Sequence, residues 1–319
     1  MAQLIKLQDY TSRYEDDIYR YPSQYVRLKK QQWEKLLDRW ERDRNLQFHA
    51  NDAPAKEHRK GALARLKGLF AGQAQLEGRE DILQDGENRE MDLVQFPKYL
   101  EAHASTEAEL KQLFLDQMFK FQLKWASATL TEKSFIDSHY FREEKLKYLL
   151  QRFPDTFFVM YEPVFLLKKA PVELDILLLT PTGAWCLAFL ERETNAAFTG
   201  SSDHFWYMRH GDHEERVLNP LLSVNRMGKI IQQLFKLYDI ELPIHKAVLC
   251  RNGYVDYPGA GDVLLLDKRN YEEWFLKMRR LHSPLKKMQL RAAQGLLEYC
   301  QTTSFKRPEW EIDIEQDAE

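Results

Sequence analysis

The residues best suited to chemistry are carboxylates at the ends of two apolar runs. Asp175 comes directly before the run 176–179, and Glu191 and Glu193 follow the run 184–190. Runs this apolar are typical of strands that are buried on both faces. Carboxylate oxygens delivered by such strands are ligands that Mg²⁺ prefers. The pattern therefore points to a metal-dependent site as the first hypothesis to test.

The two apolar runs are predicted to be strands joined by a tight turn. Thr180-Pro181-Thr182-Gly183 separates them, where Pro fixes one dihedral and Gly permits a positive φ. Further on, Asn219 followed by Pro220 is typical of a capped helix start. The order of elements predicts an α/β core with a sheet covered on both faces. The predicted elements are helices at 131–153, 219–238, 270–280 and 284–301, and strands at 156–168, 172–179, 184–190, 244–251 and 262–266.

Residues 1–130 are predicted to form a charged α-helical region. Helical spacing of apolar residues covers 24–43, 55–70 and 105–128, and Ser105 or Thr106 would cap the last of these helices. Tyrosines alternate with arginines near the start, which would suit stacking on nucleotides. Their helical spacing favours packing between helices instead. The region is predicted to pack on itself, on the following domain or on a partner.

Charge, cysteine content and hydrophobicity exclude some classes of protein for this sequence. The chain has 319 residues, 44% of them hydrophobic and 30% charged, with a net charge of −3. No global charge attracts nucleic acid, so any such role must use a local basic patch. Three widely spaced cysteines favour buried thiols over a disulfide framework. No apolar run approaches the ~20 residues of a membrane span, and the start lacks a signal peptide. We expect a cytoplasmic protein without membrane contact.

Four segments, in this order and spacing, resemble the nuclease-related domain family, known as NERD. They are Glu143 or Glu144; Glu173-Leu174-Asp175 with the apolar run and Gly183; Gly200 and Trp206; and Asn219-Pro220-Leu221. A Gln that often follows the last segment in the family is not evident. The resemblance covers about residues 135–270. It implies a restriction-endonuclease-like fold of the PD-(D/E)XK type, with a mixed sheet flanked by helices.

The likeness fails where the family carries an acidic residue and a Lys two positions later. Counted from Asp175 and Gly183, these positions hold Ala188 and Leu190. In the family, carboxylates hold a divalent cation and the Lys supplies positive charge at the phosphate. Ala and Leu can do neither. The resemblance therefore implies a degenerate site in which Asp175 remains, helped by Glu143 or Glu144.

Glu191 and Glu193 offer a substitute with the same two-residue spacing. They are shifted by an odd number of residues from Ala188, and an odd shift reverses the face of a regular strand. A bulge near Phe189 would restore the face, with Arg192 as the cation. Asp175, Glu191 and Glu193 would then be catalytic, and Asp175, Glu143 and Glu144 would hold Mg²⁺ or Mn²⁺. The alternative is a solvated strand end.

A polar loop after the second strand contains His204, His210 and His213 close to Asp203 and Asp212. These residue types could bind Zn²⁺. No pair of them has a clear helical spacing, so a polar surface loop is the favoured interpretation.

A basic surface is predicted around the helix that begins at Asn219. Arg226, Lys229, Lys236 and Arg251 could contact phosphates without reading sequence. On an amphipathic helix, such charges are also consistent with simple solvation.

The sequence thus predicts a charged helical region at 1–130, a nuclease-related α/β domain at 131–282, and a C-terminal helix with an acidic tail at 283–319. The favoured function is a pseudoenzyme: a module without catalysis or cofactor that binds nucleic acid, DNA first, or acts as a scaffold. Residues 1–130 would dock a protein partner or mediate self-association. The alternatives are a Mg²⁺- or Mn²⁺-dependent nuclease that hydrolyses DNA, and a protein-interaction module without nucleic acid. Whether the protein is an enzyme stays open.

Overall fold

The computed structural model describes residues 1–51, 104–168 and 170–307, and the side chains of 45–51 are left aside. The predicted helix at 55–70 and the tail after residue 307 lie outside these ranges. The chain divides into two compact units, one of Met1–Val26 with Leu115–Glu319 and one of Arg27–Phe114. The predicted domain boundaries near residues 130 and 282 stay predictions. No helix in the described ranges is long and apolar enough to cross a membrane.

A six-stranded mixed sheet forms the core of the first unit. Its strands, in spatial order, are β1 (Gln3–Leu7), β3 (Phe158–Tyr161), β6 (Ile176–Thr180), β7 (Gly183–Phe189), β11 (Ile244–Cys250) and β13 (Val263–Asp267). The β3–β6 and β6–β7 pairs are antiparallel, and the other three pairs are parallel. The predicted hairpin around Thr180–Gly183 and the strand at 244–251 are confirmed.

A second sheet of four strands has the order β10-β9-β8-β12. Its strands are β8 (Ala197–Thr199), β9 (Phe205–His210), β10 (His213–Leu218) and β12 (Tyr254–Asp256). The polar surface loop predicted between residues 191 and 218 is therefore wrong, since that segment contains three strands. Two smaller sheets pair β4 (Val164–Leu167) with β5 (Ala170–Glu173), and β2 (Glu132–Lys133) with β14 (Phe305–Lys306).

Seven α-helices are described within the covered ranges. They are α1 (Arg13–Asp16), α2 (Tyr21–Asn51), α3 (Glu107–Ala126), α4 (Glu144–Arg152), α5 (Pro220–Leu237), α6 (Tyr271–Arg279) and α7 (Lys287–Leu297). The predicted start of α5 is confirmed, because the Asn219 side chain accepts a hydrogen bond from the Leu221 N–H at 2.9 Å. Thr106 caps α3 by accepting from the Glu109 N–H at 3.2 Å.

The single helix predicted at 131–153 is wrong. Residues 132–133 form β2, Ser138–Phe141 is a 3₁₀ turn, and only α4 is α-helical. Local capping explains the break. Asp137 accepts from the His139 N–H at 2.9 Å, and Glu143 accepts from the Lys145 N–H at 3.2 Å. Each cap begins a new short helix, so a continuous helix does not form.

The predicted strand at 156–168 is two strands. Glu162 has a φ of 49°, and this left-handed residue ends β3 and redirects the chain into β4. Strand β4 then pairs with β5, which also takes residues 172–173 from the predicted strand at 172–179.

The prediction that residues 1–130 are all helical is wrong at the start, where β1 joins the main sheet. Its Lys6 is buried and donates to the Glu15 carboxylate at 2.6 Å. Because the Lys6 ammonium is paired with the Glu15 carboxylate, β1 can be buried in the sheet without an uncompensated charge. The nearby tyrosines pack as favoured, with Tyr14 and Tyr25 each 5.7 Å from the Trp125 ring.

Candidate functional site

The β6–β7 hairpin positions the acidic residue that the resemblance singled out. Every residue of β6 is buried. At the turn, the Gly183 N–H donates to Thr180 Oγ1 at 3.0 Å. A Cβ on Gly183 would lie 2.8 Å from the His245 ring, so this position requires glycine. At the opposite end of the hairpin, Asp175 stands directly before the first residue of β6.

Strand register places Ala188 beside Asp175. In the antiparallel pair, Ile176 lies opposite Leu187, and one step further sets Asp175 opposite Ala188. Residues directly opposite each other share a face of the sheet. Ala188 and Leu190 are only 6% and 7% exposed. The position next to Asp175 is thus filled by a small apolar residue in the core.

The Asp175 side chain has a polar partner on another element. Ser223, in the first turns of α5, donates its hydroxyl hydrogen to Asp175 Oδ2. On the other side, the Glu162 N–H donates to the Asp175 carbonyl oxygen at 2.7 Å. Asp175 is half-buried. A hydroxyl and a backbone contact therefore hold this carboxylate at the strand end.

Three further carboxylates lie close enough to influence one another. Burial raises the pKa of Glu162, and the negative charges of Glu173 and Glu143 raise it further, while a hydrogen bond from Tyr140 at 3.1 Å opposes the rise. Glu143 is half-buried at the N-cap of α4, whereas Glu144 is exposed in its first turn. Of the two candidate helix acids, the structure brings Glu143 to this group.

Glu191 is engaged by an arginine. Its Oε1 lies 2.5 Å from Arg251 Nε and its Oε2 lies 2.9 Å from Arg251 Nη2. The guanidinium also lies over two rings, 4.1 Å from the centre of Tyr148 and 5.1 Å from that of Phe189. Glu193 is exposed. Both oxygens of Glu191 are thus hydrogen-bonded, in the bidentate geometry typical of a strong ion pair.

Within the described ranges, no group of three His, Cys, Asp or Glu residues is arranged to hold a metal ion. His210 and His213 lie opposite each other at the β9–β10 turn, and His204 precedes β9. The zinc hypothesis therefore finds no support. The cysteines offer no ready nucleophile either, because burial raises the pKa of Cys186 and of Cys250 to about 12. Both thiols stay protonated at neutral pH.

Comparison with known proteins assigns the segment that carries these residues. The family model of the nuclease-related domain matches residues 138–250. The element order α4, β3, β6, β7, α5, β11 is consistent with the restriction-endonuclease-like fold that the family implies.

One curated relative overlaps the chain in part. An RNA 2',3'-cyclic phosphodiesterase of Geobacillus stearothermophilus is 37% identical over 122 residues, which cover 38% of this chain and 36% of that protein. The chain therefore spans about a third of that relative's length. No solved structure matches the chain.

Three of the four predicted phosphate contacts share a face of the nuclease-related domain. Arg226, Lys229 and Lys236 are exposed on α5, and spacings of three and seven residues bring them to one side of a helix. We call these three residues the basic face. Arg251 is not part of it, since its guanidinium contacts Glu191, Tyr148 and Phe189.

Two partners of Asp175 in the nuclease-related domain were not predicted. Ser223 lies four residues after the helix cap Asn219, and Glu162 lies at a left-handed position between β3 and β4. No sequence pattern pairs either residue with Asp175. A strand-register argument could have found Glu162, because Tyr161 lies opposite Ile176 and one step further sets Glu162 opposite Asp175.

Proposed function

We propose that the nuclease-related domain binds nucleic acid without hydrolysing it. The observation that carries the proposal is the pairing of Asp175 with Ala188, where the family needs a second ligand. Glu191 cannot easily replace it, because Arg251 binds both of its oxygens. A cation site of the family's type would therefore lack the ligand that belongs beside Asp175. The domain would therefore need no divalent cation.

Nucleic acid is the ligand best supported by the basic face. Arg226, Lys229 and Lys236 form a row of exposed cations on a chain of near-neutral net charge. Such a row contacts phosphates and releases counterions, whatever the sequence of the bases. The family is nuclease-related, and the relative carries RNA in its name. RNA therefore joins DNA among the ligands to test.

The binding experiment measures the affinity of the whole chain for labelled single-stranded RNA, single-stranded DNA and duplex DNA. Three phosphate contacts predict a fall in affinity between roughly 50 and 200 mM salt of about 40-fold for duplex DNA and about 20-fold for single strands. Changing Arg226, Lys229 and Lys236 together to Gln should weaken binding and flatten the salt dependence. A control that changes the exposed Arg280, Lys287 and Lys306 to Gln removes the same charge elsewhere. Equal effects of both triple variants would contradict the proposal.

A metal-dependent nuclease is the second candidate, because Glu143, Glu162 and Glu173 lie within electrostatic reach of one another at the end of the Asp175 strand. Incubation with RNA and DNA in the presence of Mg²⁺ or Mn²⁺ separates the two candidates. We expect no cleavage. Cleavage that disappears in Asp175→Asn, while binding persists, would replace the binding proposal with catalysis.

A partner or self-association surface in residues 1–130 stays a prediction.

A further inference from the structure

The four-stranded sheet has one buried and one exposed face. Buried and exposed side chains alternate over residues 205–209 of β9 and along β12, as expected when one face packs on a core, whereas β10 buries only Val217. The buried positions hold Phe198, Trp206, Met208, Val217 and Val255. The opposite positions face solvent in the same strands. Packing in the core therefore does not determine the residue types on the exposed face. A binding role could explain them instead.

Three aromatic rings lie on this exposed face. Phe205 is 42% exposed, Tyr207 is 46% exposed and Tyr254 is 37% exposed. The register joins them into one surface. Tyr207 lies opposite Thr199, and Thr199 lies opposite Asp256, two residues from Tyr254 on the same face. We call the three rings the aromatic platform. Exposed apolar groups that share one face of a sheet can mark a binding site.

Basic side chains frame the aromatic platform. The Arg216 guanidinium lies 4.7 Å from the centre of the Phe205 ring, and Lys268 Nζ lies 5.9 Å from that of Tyr254. Arg209 stands between the rings, opposite Ala197, which itself lies opposite Tyr254. The acids Glu214 and Asp256 share the face. Cations thus alternate with rings across the surface.

Aromatic rings beside basic side chains suit a ligand that has planar groups for stacking and carries negative charge. Unpaired bases stack on exposed aromatic side chains while arginines and lysines contact the phosphates. A duplex hides its base faces and cannot use the rings. We propose that the aromatic platform binds an unpaired strand of nucleic acid. This inference rests on the proposed function and adds the surface and the strandedness of the ligand.

The sheet that carries the platform is joined directly to α5, which contacts Asp175. Strand β10 ends at Leu218, and Asn219 ties the sheet to α5 by donating to the Asp203 carbonyl oxygen at 2.8 Å. Four residues later, Ser223 contacts Asp175. The basic face begins on the same helix at Arg226. The platform and the basic face are thus carried by neighbouring elements of the chain.

The test replaces the three rings by leucine in the full chain. Leucine keeps apolar area but cannot stack, so Phe205→Leu, Tyr207→Leu and Tyr254→Leu each should weaken binding about tenfold. The probes are labelled oligouridylate and oligothymidylate of about 12 nucleotides and a duplex of equal length. We expect the triple variant to lose at least about 100-fold affinity for both single strands and to keep its duplex affinity.

Two matched variants isolate stacking. Tyr207→Phe with Tyr254→Phe keeps both rings and should keep single-strand affinity. Phe135→Leu removes an exposed ring outside the platform and should bind like the wild type. A second measurement uses the unmodified protein. Photocrosslinking to an oligonucleotide containing 4-thiouridine should label peptides that contain Phe205, Tyr207 or Tyr254.

The outcomes separate this inference from the proposed function. Single-strand affinity within about twofold of wild type in the triple Leu variant, together with weakened binding in the basic-face variant, would overturn the platform alone. An equal loss for duplex and single strands would also overturn it, as would crosslinks confined to other peptides. No binding of any probe at low salt would overturn both proposals.

Discussion

The two sheets of the first unit use aromatic and apolar residues in opposite ways. In the six-stranded sheet, β6 is buried along its whole length, and the position beside Asp175 holds Ala188. In the four-stranded sheet, only one face is buried, and rings such as Tyr207 lie on the exposed face. The first sheet places an apolar residue beside its acidic strand end. The second carries groups that packing does not require.

This difference suggests where function lies if, as proposed, the domain does not hydrolyse nucleic acid. A core strand that loses a catalytic side chain must still fill the volume, so an apolar residue such as Ala188 or Leu190 is favoured there. An exposed face has no such requirement. We propose that the aromatic residues placed there contact a ligand. The three predictions below test this division, from the largest expected effect to the smallest.

The largest effect is expected at the carboxyl end of β7. Glu191→Ala leaves the largely buried Arg251 without its partner, and we expect a loss of about 3 kcal/mol in the free energy of unfolding. Urea denaturation measures this loss. The exposed neighbour Glu193→Ala should stay within about 0.5 kcal/mol of wild type. Similar small losses in both variants would contradict the ion pair. Glu191 would then be available to bind a cation at the end of β7.

The ion pair itself can be isolated by removing both charges. In Glu191→Ala combined with Arg251→Met, no buried charge is left unpaired, so much of the lost stability should return. Met keeps apolar contact with Tyr148 and Phe189, which the guanidinium now covers. A double variant no more stable than Glu191→Ala would show that the stacking of Arg251 on the two rings, not the charge pair, stabilises this end.

An intermediate effect is expected where the four-stranded sheet joins α5. Asn219 is buried, caps α5 through the Leu221 N–H and donates to the Asp203 carbonyl oxygen. Asn219→Ala removes both contacts and should cost about 2 kcal/mol. Asn219→Asp keeps the cap acceptor but loses the donor, so it should cost less. Thermal unfolding gives the order. An alanine variant as stable as the aspartate variant would contradict the role of the cap.

Local signals were enough to predict much of the central fold. The Pro-Gly turn between two apolar runs predicted the β6–β7 hairpin, and the Asn-Pro pair predicted the start of α5. Each of these features is decided by neighbouring residues, through turn dihedrals or a cap. The spacing from Asp175 and Gly183 also identified Ala188 as the position where the family carries an acidic residue, and the register sets that residue opposite Asp175.

The features that were missed depend on contacts between distant residues. Glu191 meets Arg251 sixty residues later, and Ser223 meets Asp175 across 48 residues. No pattern in the neighbouring sequence predicts either contact. The four-stranded sheet is different, since its alternation of exposed and buried residues is visible in the sequence. The polar and histidine-rich composition of this segment favoured a loop and concealed the period of two.

The smallest effect concerns the acids beside Asp175. Burial first, and then Glu173 and Glu143, raise the pKa of Glu162 above its usual 4.5. A raised pKa means that the folded state favours the protonated form. Stability from this group is therefore full below pH 4.5 and is lost as the pH rises through the raised value. Glu162→Gln should remove that loss, so near pH 7 the variant should be the more stable protein. Since Glu162 is only half-buried, we expect a gain below about 1 kcal/mol.

Repeating the Glu162 experiment with added Mg²⁺ tests whether the acids near Asp175 in the six-stranded sheet bind a cation. If the acids near Asp175 held a cation, the metal would relieve their repulsion and stabilise the wild type at neutral pH more than Glu162→Gln. We expect the difference between the two proteins to be the same with and without millimolar Mg²⁺, as measured by urea denaturation at pH 4 and pH 7. A difference that Mg²⁺ abolishes would assign a cation site to the buried sheet. The Ala188 position would then have been compensated by Glu162, because this residue lies on the other side of Asp175.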